Sequence, residues 1–547
     1  GFVLPIAAGL WQTGRAAFGI LPAAGAGALS LDPWRLLADT PGLATSVGLT
    51  LRTGLLSTVL ALALAFALAA ALWQRGRSGR LLAPLLAAPH AAVAIGLAFL
   101  LAPSGWIARA LSPWATGWDR PPDLATVNDA AGLALILGLM VKEMPFLTLV
   151  TLAALGRLPV ARDLAAARAL GYGAGTAWAK VILPQLWPLL RLSFCVVLAY
   201  GLSNVELAMI LGPSQPPTLA VMIARDFADP DLARRLPAAA AAVLVALLVA
   251  AAILAVLGME RLAAALGRAW LVGGERGSAR APLLRATALA AGGALGLGFL
   301  SLAALLLWSL ARRWRWPDLW PSGLSLRNWT GSGVTWADPA LSTLSLALAS
   351  TLVSLVLAIL WLEAEDRARR PRAGWAEALV YLPLILPQVA FLFGLHIALL
   401  SAGAGPGWAT VLWGHALFVF PYVMIALSPP WRALDPALLR AAAALGAGPN
   451  RRLLAVKLPC LLHPILTAAA IGFGVSVALY LPTMALGGGR IATLTTEAVT
   501  LASGTDRRIL GVVATLQAAL PWAVYALAAT IPALLYRNRR GLRGAGP

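Results

Sequence analysis

Apolar runs of helix length alternate with short polar stretches along almost the whole chain. They occupy 43–72, 81–102, 130–156, 183–205 and 236–258, then 283–310, 340–362, 375–400, 408–429, 459–486 and 512–536. A hydrocarbon core about 30 Å thick needs about 20 helical residues, so each run can cross it. The front differs. Phe2 to Trp11 is apolar, but Gln12-Thr13-Gly14-Arg15 follows at once. At about 1.5 Å per residue that stretch covers only about half a membrane. The first residue is Gly rather than Met. The pattern therefore predicts a chain that begins inside its first spanning helix. It predicts an all-α polytopic membrane protein of twelve spans, six in each half.

The polar stretches orient these spans. With the start of the chain placed in the cytoplasm, the inner segments are 73–81, 157–180, 258–285, 363–374, 431–458 and the C-terminus. They hold nearly twice as many Arg and Lys as the outer segments, as the positive-inside rule requires. One stretch resists. "ARRWRWPDLW" at 311–320 is basic yet falls outside, although its tryptophans suit an interfacial belt.

Composition supports the bilayer as solvent. The chain is 60% hydrophobic and 12% charged over 547 residues, against about 45–50% apolar and about 25% charged in soluble domains. The net charge of +20 does not indicate a nucleic-acid partner, because the basic residues lie in short clusters between apolar runs. Cys195 and Cys460 lie in or beside apolar runs and read as small packing residues. The four histidines show no HxxH or HExxH spacing, so no metal site is expected. No paired carboxylates or nucleophile constellation marks an enzyme, and no catalytic residue or cofactor is expected.

One polar interruption occurs twice. "ALGYGAGTAWAKVILPQLWP" runs over 169–188 and "ALGAGPNRRLLAVKLPCLLHP" over 444–464. In each copy the Ala-Leu-Gly glycine, Gly171 or Gly446, stands 13 residues before the Leu-Pro proline, Pro184 or Pro459. The copies are offset by 275, as are Leu211-Gly212 and Leu486-Gly487. Upstream, "PHAAVAIGL" from Pro89 matches "PQVAFLFGL" from Pro387 at an offset of 298. The first half therefore carries the longer outer loop, 103–130. An even number of spans per half makes the repeat parallel, with a pseudo-two-fold axis along the membrane normal and a path between the halves. The predicted units are 1–270 and 271–547, joined by a cytoplasmic linker near 259–282.

The duplicated segments predict two hairpins, near 159–180 and 434–457. Ala165, Ala166, Ala167 and Ala169 favour helix, and Gly171 and Gly173 break it. A second short helix is expected to run to Lys180, with Pro184 opening the next span. In the second copy Asp435-Pro436 starts the unit, Gly446 and Gly448 turn it, and Pro459 opens the span. A hairpin that only seats the next helix has no need to recur in the same register.

The spacing E-A-A-x-x-x-G, nine residues, then I-x-L-P resembles the cytoplasmic-loop signature of binding-protein-dependent ABC importer permeases. The matching residues are Ala165, Ala166, Ala167, Gly171, Val181, Leu183 and Pro184, and again Arg440, Ala441, Ala442, Gly446, Val456, Leu458 and Pro459. The likeness extends over nearly the whole chain. It is to permeases in which both membrane domains share one polypeptide, as in ferric-iron and thiamine importers, and among these to the YnjC type. The resemblance implies that each motif forms a coupling helix docking in a groove of a separate ATPase subunit, two copies in all. It implies an external, periplasmic solute-binding protein that delivers a small solute, and location in a bacterial inner membrane. The chain departs from the motif at its first glutamate, which is Ala165 in one copy and Arg440 in the other. Energy must come from the partner: Lys142, Lys180 and Lys457 are followed by Glu143, Val181 and Leu458, so the phosphate-binding G-x-x-x-x-G-K-[ST] is missing.

Ionisable residues inside spans are costly and mark candidate paths. Lys142 and Glu143 fall in the fourth span. Adjacent helical residues point about 100° apart, so they need not pair with each other, and Pro145 beside them should kink the helix. His90 and Gln388 follow the prolines of equivalent spans. Asn204 and Glu206 are expected at the outer end of the fifth span. The loops at 211–219 and 486–494 are expected to form an outer mouth that receives the binding protein. The competing reading is an ion-coupled secondary transporter of twelve spans, which leaves the doubled hairpin unexplained.

Overall fold

The computed structural model describes residues 3–76, 79–277, 280–331, 336–368, 374–504 and 506–537. Phe2, Arg77, Arg369, Arg370, Arg372 and the C-terminal Arg539, Arg540 and Arg543, which entered the arguments above, lie outside these residues. Helices dominate the described chain; a two-stranded ribbon, Ile20–Leu21 against Ala26–Gly27, decorates the first outer loop. Among the described residues nine helices are long and apolar enough to cross a membrane, and two bent helix pairs bring the number to eleven if each is one span. The twelfth predicted span is Val3–Ala17, 15 residues long in the described part.

Several predicted spans are broken or displaced, each for a local reason. The third divides into Ala83–Ala87 and His90–Leu101. Pro89 has no N–H to continue the ladder, and Ala88 before it is extended, with φ −67° and ψ 131°, as steric conflict with a following proline dictates. The ninth repeats this at Pro387, where Gly374–Ile385 and Gln388–Ser401 meet at 99°. The sixth was expected to end near 258 but runs as one helix, Arg235–Val272. Its inner extension is rich in Ala, Leu and Arg, which are strong helix formers and carry the helix past the apolar run. The non-helical linker is correspondingly shorter than expected and begins at Gly273.

Contacts between loops sort the polar segments into two faces without reference to charge. On one face Arg109 donates to the carbonyls of Arg315 and Asp318, and Arg508 to that of Arg312 at 2.9 Å. On the other, Tyr536 donates to the Pro459 carbonyl at 2.9 Å, and Arg367 to Asn450 at 3.0 Å. These groups match the outer and inner assignments. The basic stretch at 311–320 is accounted for here. Trp314 and Trp316 flank the Arg109 guanidinium at 5.1 and 5.4 Å, and Trp106 meets Trp314 and Trp320 edge-on. Its rings hold an arginine of the first half through cation–π contact.

The halves interlock through their first helices. Val3–Ala17 packs on Gln388–Ser401 of the ninth span, and Arg280–Leu310 packs on His90–Leu101 of the third. Both crossings are close because glycine lines them: a Cβ on Gly394 would collide with the Gly9 carbonyl oxygen, and one on Gly96 with that of Ser301. Gly96 and Gly394 are equivalent residues of the repeat.

Candidate functional site

The inner face carries the two predicted hairpins. In the first, Val160–Ala169 forms a helix with Val160, Leu164 and Ala167 turned inward. Gly171 then adopts φ +82°. Its N–H bonds the Arg168 carbonyl at 2.9 Å, and the Tyr172 N–H bonds that of Ala167 at 3.0 Å. This paired closure is a Schellman turn, which needs a left-handed residue and so favours glycine. The second hairpin repeats it. Pro436–Ala444 is capped by the Asp435 carboxylate, which accepts from Ala437 N–H at 2.8 Å. Gly446 has φ +81°, with Gly446 N–H on Ala443 O at 2.9 Å and Ala447 N–H on Ala442 O at 3.0 Å.

The second arm differs from the expectation. It is not a separate helix ending at Lys180. Ala174–Ser203 is one continuous helix, and Pro184 sits within it rather than opening it. The proline's missing N–H is absorbed by a π-helical turn at Trp178–Ile182. Lengthening the hydrogen-bond step frees the carbonyl that an α-helical proline would strike. Leu453–Lys457 is the matching π turn before Pro459. There the helix does bend, by 74°, where Pro449–Cys460 gives way to Leu462–Ala478.

Of the motif residues, Ala165, Ala166, Gly171, Arg440, Ala441 and Gly446 are exposed, Ala442 is partly so, and Ala167 is buried. Leu183, Pro184, Leu458 and Pro459 lie on the arm that returns to the membrane. Two residues passed over in the sequence stand at the tips: Leu170 is 60% and Leu445 87% exposed. They are equivalent leucines directly before the turn glycines. Their presence in both copies of Ala-Leu-Gly was the available signal.

Each arm is anchored by a buried lysine, and the anchors differ. Lys180 donates to the carbonyls of Trp270 and Glu275, both at 2.9 Å, and lies 4.3 Å from the Trp270 ring. It thus caps the C-terminal end of Arg235–Val272, where a cation complements the helix dipole. Lys457 lies between the carboxylates of Glu363 and Asp366, at 2.5 Å from each.

A second assembly lies inside the bundle, where the broken spans meet. Lys142 and Glu143 do diverge. Glu143 meets His90 at 3.1 Å, while Lys142 donates to Leu85 O and Leu86 O at 2.8 and 3.2 Å. Those carbonyls are orphaned where the third span breaks, and the ammonium satisfies them. Lys142 is about 14 Å along its helix from Leu133 at ~1.5 Å per residue, well inside the membrane. Pro145 lies within the same uninterrupted helix, Leu133–Leu155.

Asn204 and Glu206 are deeper than expected. The fifth span ends at Ser203, Asn204 is extended, and a short helix, Glu206–Leu211, continues to the outer face. Asn204 caps it by accepting from Leu207 N–H at 2.8 Å, a role suited to its side-chain oxygen. Tyr200 donates to Glu206 Oε1 at 3.2 Å and its ring lies 4.9 Å from that of His90. Glu206 Oε2 is buried with no hydrogen-bond partner among the described residues. Burial and contact therefore gather His90, Lys142, Glu143, Asn204 and Glu206. Gln388 heads the equivalent segment of the ninth span but is not joined by these bonds. The cluster is one-sided: Gly138 and Pro145 align with Gly414 and Pro421, which sets Phe418 and Val419 opposite Lys142 and Glu143, and Leu479 and Leu481 stand opposite Asn204 and Glu206.

At the outer face the two predicted mouth loops end in equivalent caps. Leu219 N–H bonds Thr50 Oγ1 at 3.0 Å, and Leu494 N–H bonds Thr343 Oγ1 at 2.8 Å. Between the halves lies a cavity of about 330 Å³, lined by Ile95, Phe99, Asn128, Ile210, Ser503 and Arg507 among others. Beside it Asp506 caps the last span, and the Arg508 guanidinium bonded to it holds its carboxyl below the usual range.

No protein-family model matches the chain. It is 32% identical over 521 residues to the inner membrane ABC transporter permease protein YnjC of Escherichia coli K12, covering 94% of this chain and 93% of that one. PhnV of Salmonella typhimurium LT2, named as a 2-aminoethylphosphonate transport system permease protein, is 27% identical over 185 residues, 33% of this chain and 68% of PhnV. A Mycoplasma genitalium homologue of the spermidine/putrescine transport permease PotC is 26% identical over 172 residues, 31% of this chain and 60% of its own. The full-length match runs through both hairpins and the polar cluster, and the chain belongs to the inner-membrane ABC transporter permeases.

Proposed function

We propose that this permease is a membrane subunit of an ABC importer that carries both permease halves on one chain, 1–270 and 271–547. The two hairpins are its coupling elements. Each presents an exposed leucine, Leu170 or Leu445, on a short helix fixed by a Schellman turn, and each receives one copy of a separate ATPase subunit. An external binding protein delivers a small solute at the mouth formed by 211–219 and 486–494. ATP binding draws the two ATPase copies together. The hairpins follow, and the halves rock between inward- and outward-open states, a shift set by the partner's differential affinity for the two. The solute passes the cluster of His90, Lys142, Glu143, Asn204 and Glu206, and Gln388 is the repeat-equivalent candidate in the second half.

The observation that carries this reading is the duplicated, exposed hairpin on the inner face. A secondary transporter has no use for two apolar knobs presented to the cytoplasm in equivalent register. The test is co-expression with the ATPase encoded beside it, and purification through the permease. Wild type should retain the ATPase, and Leu170→Asp with Leu445→Asp should lose it while still inserting in the membrane. Failure of the wild type to retain any ATPase would overturn the proposal and restore the ion-coupled reading, starting from Glu206.

A further inference from the structure

The inner surface around the first hairpin includes residues outside the repeated motif. The end of the sixth span and the start of the linker, Trp270–Gly277, lie against the hairpin turn. Gly173 N–H bonds Arg276 O at 2.9 Å, Thr176 Oγ1 bonds Gly277 O at 2.5 Å, and Lys180 bonds Trp270 O and Glu275 O. Trp270 Nε1–H bonds the Glu275 carboxylate at 2.9 Å, which folds the segment onto itself. A Cβ on Gly171 would stand 3.5 Å from Arg276 Cδ. The linker is thus in van der Waals contact with the turn, and Glu275, Arg276 and Gly277 are themselves exposed. The second hairpin is held differently: its anchors Glu363 and Asp366 belong to the eighth span.

We infer that the two ATPase docking sites are unequal, and that the first is composite: Leu170, Arg168 and the linker residue Arg276 form one surface for a single ATPase copy. This rests on the proposed coupling role of the hairpins. The partner chemistry is a groove with an apolar floor for Leu170 and acidic groups at the rim for Arg168 and Arg276, both of which are exposed. Any body large enough to enclose Leu170 must also meet Arg276, because the linker flanks Gly171. Lys180 is a positioning residue that holds the linker in place without touching the partner. The second site is formed by Leu445 and the basic residues Arg440 and Arg451 of its own hairpin.

Hydrogen–deuterium exchange of the full-length permease with and without its co-expressed ATPase tests this. The expected result is slowed exchange at 160–171, at 436–446 and also at 273–277. Slowing at both hairpins with unchanged exchange at 273–277 would overturn the composite site and leave the coupling role standing. No slowing at either hairpin would overturn both. Charge reversal gives a second arm. Arg276→Glu should weaken ATPase association roughly tenfold, as loss of charge complementarity at an interface does. Arg261→Glu, the same change on the exposed flank of the sixth span, should leave it unaltered. Equal association for Arg276→Glu and wild type would contradict the inference. Lys180→Met should abolish the slowing at 273–277 while slowing at 436–446 persists; persistence at 273–277 would remove Lys180 from the role.

Discussion

The two hairpins share their turn, their π-helical arm and their exposed leucine, but not the means by which they are held. The first is fastened to backbone carbonyls at the end of the sixth span and continues into the membrane as one helix. The second is fastened by an ion triad, and its arm bends by 74° beyond Leu461. Duplication keeps the turn and its exposed leucine and lets the supports diverge. Substitutions at equivalent positions should therefore have equal effects where geometry is common and unequal effects where it is not.

The largest difference is expected at the anchors. Lys457→Met takes away the cation between Glu363 and Asp366 and leaves Glu363, 8% exposed in its side chain, with Arg367 as its remaining ion partner; removing one member of a buried pair costs up to about 3–5 kcal/mol. Lys180→Met strands no charge and loses charge-assisted bonds worth about 1.5–3 kcal/mol. Thermal unfolding of the purified variants should rank them in that order, and adding Glu363→Gln to Lys457→Met should recover part of the loss. The reverse ranking would contradict the assigned anchors.

Docking comes next. Leu445→Asp should weaken ATPase association more than Leu170→Asp, because the composite first site retains Arg276. Titration of ATPase onto each variant measures the gap, and equal losses would remove the asymmetry. The polar cluster offers a comparison of the same kind. Glu206→Leu installs the residue found at the equivalent position, Leu481. Removing a carboxylate with an unbonded buried oxygen should stabilise the protein by about 1–3 kcal/mol, while solute transport falls. A destabilised variant would show that Glu206 serves the fold. The smallest difference is expected at the turns. Gly171→Ala and Gly446→Ala each place a side chain in left-handed backbone, at about 1–2 kcal/mol, and neither Cβ meets an atom closer than ordinary contact. Melting temperatures should fall equally.

The sequence made the periodic features legible. Eleven apolar runs, the doubled Gly-to-Pro spacing and the intramembrane polar residues were all visible because they are repeated or chemically exceptional. What was hidden depended on geometry that no composition records. Pro89 and Pro387 marked breaks, yet their apolar flanks read as continuous spans. Pro184 read as a helix start because the π turn that lets a helix pass through it has no sequence signature. Asn204 looked like a span end, and only the short helix Glu206–Leu211 puts it inside the bundle. Nothing in the sequence marked Lys180 and Lys457 as buried anchors, because their partners lie 90 or more residues away in sequence.

The central claim is that the hairpins are moved by the ATPase. The most direct measurement is the distance between spin labels at Leu170→Cys and Leu445→Cys, with Cys195 and Cys460 replaced, in the purified permease–ATPase complex. The labels should approach one another when the complex is trapped with ATP, and return on its removal. A distance that stays the same with and without nucleotide, in a complex that still hydrolyses ATP, would contradict the account.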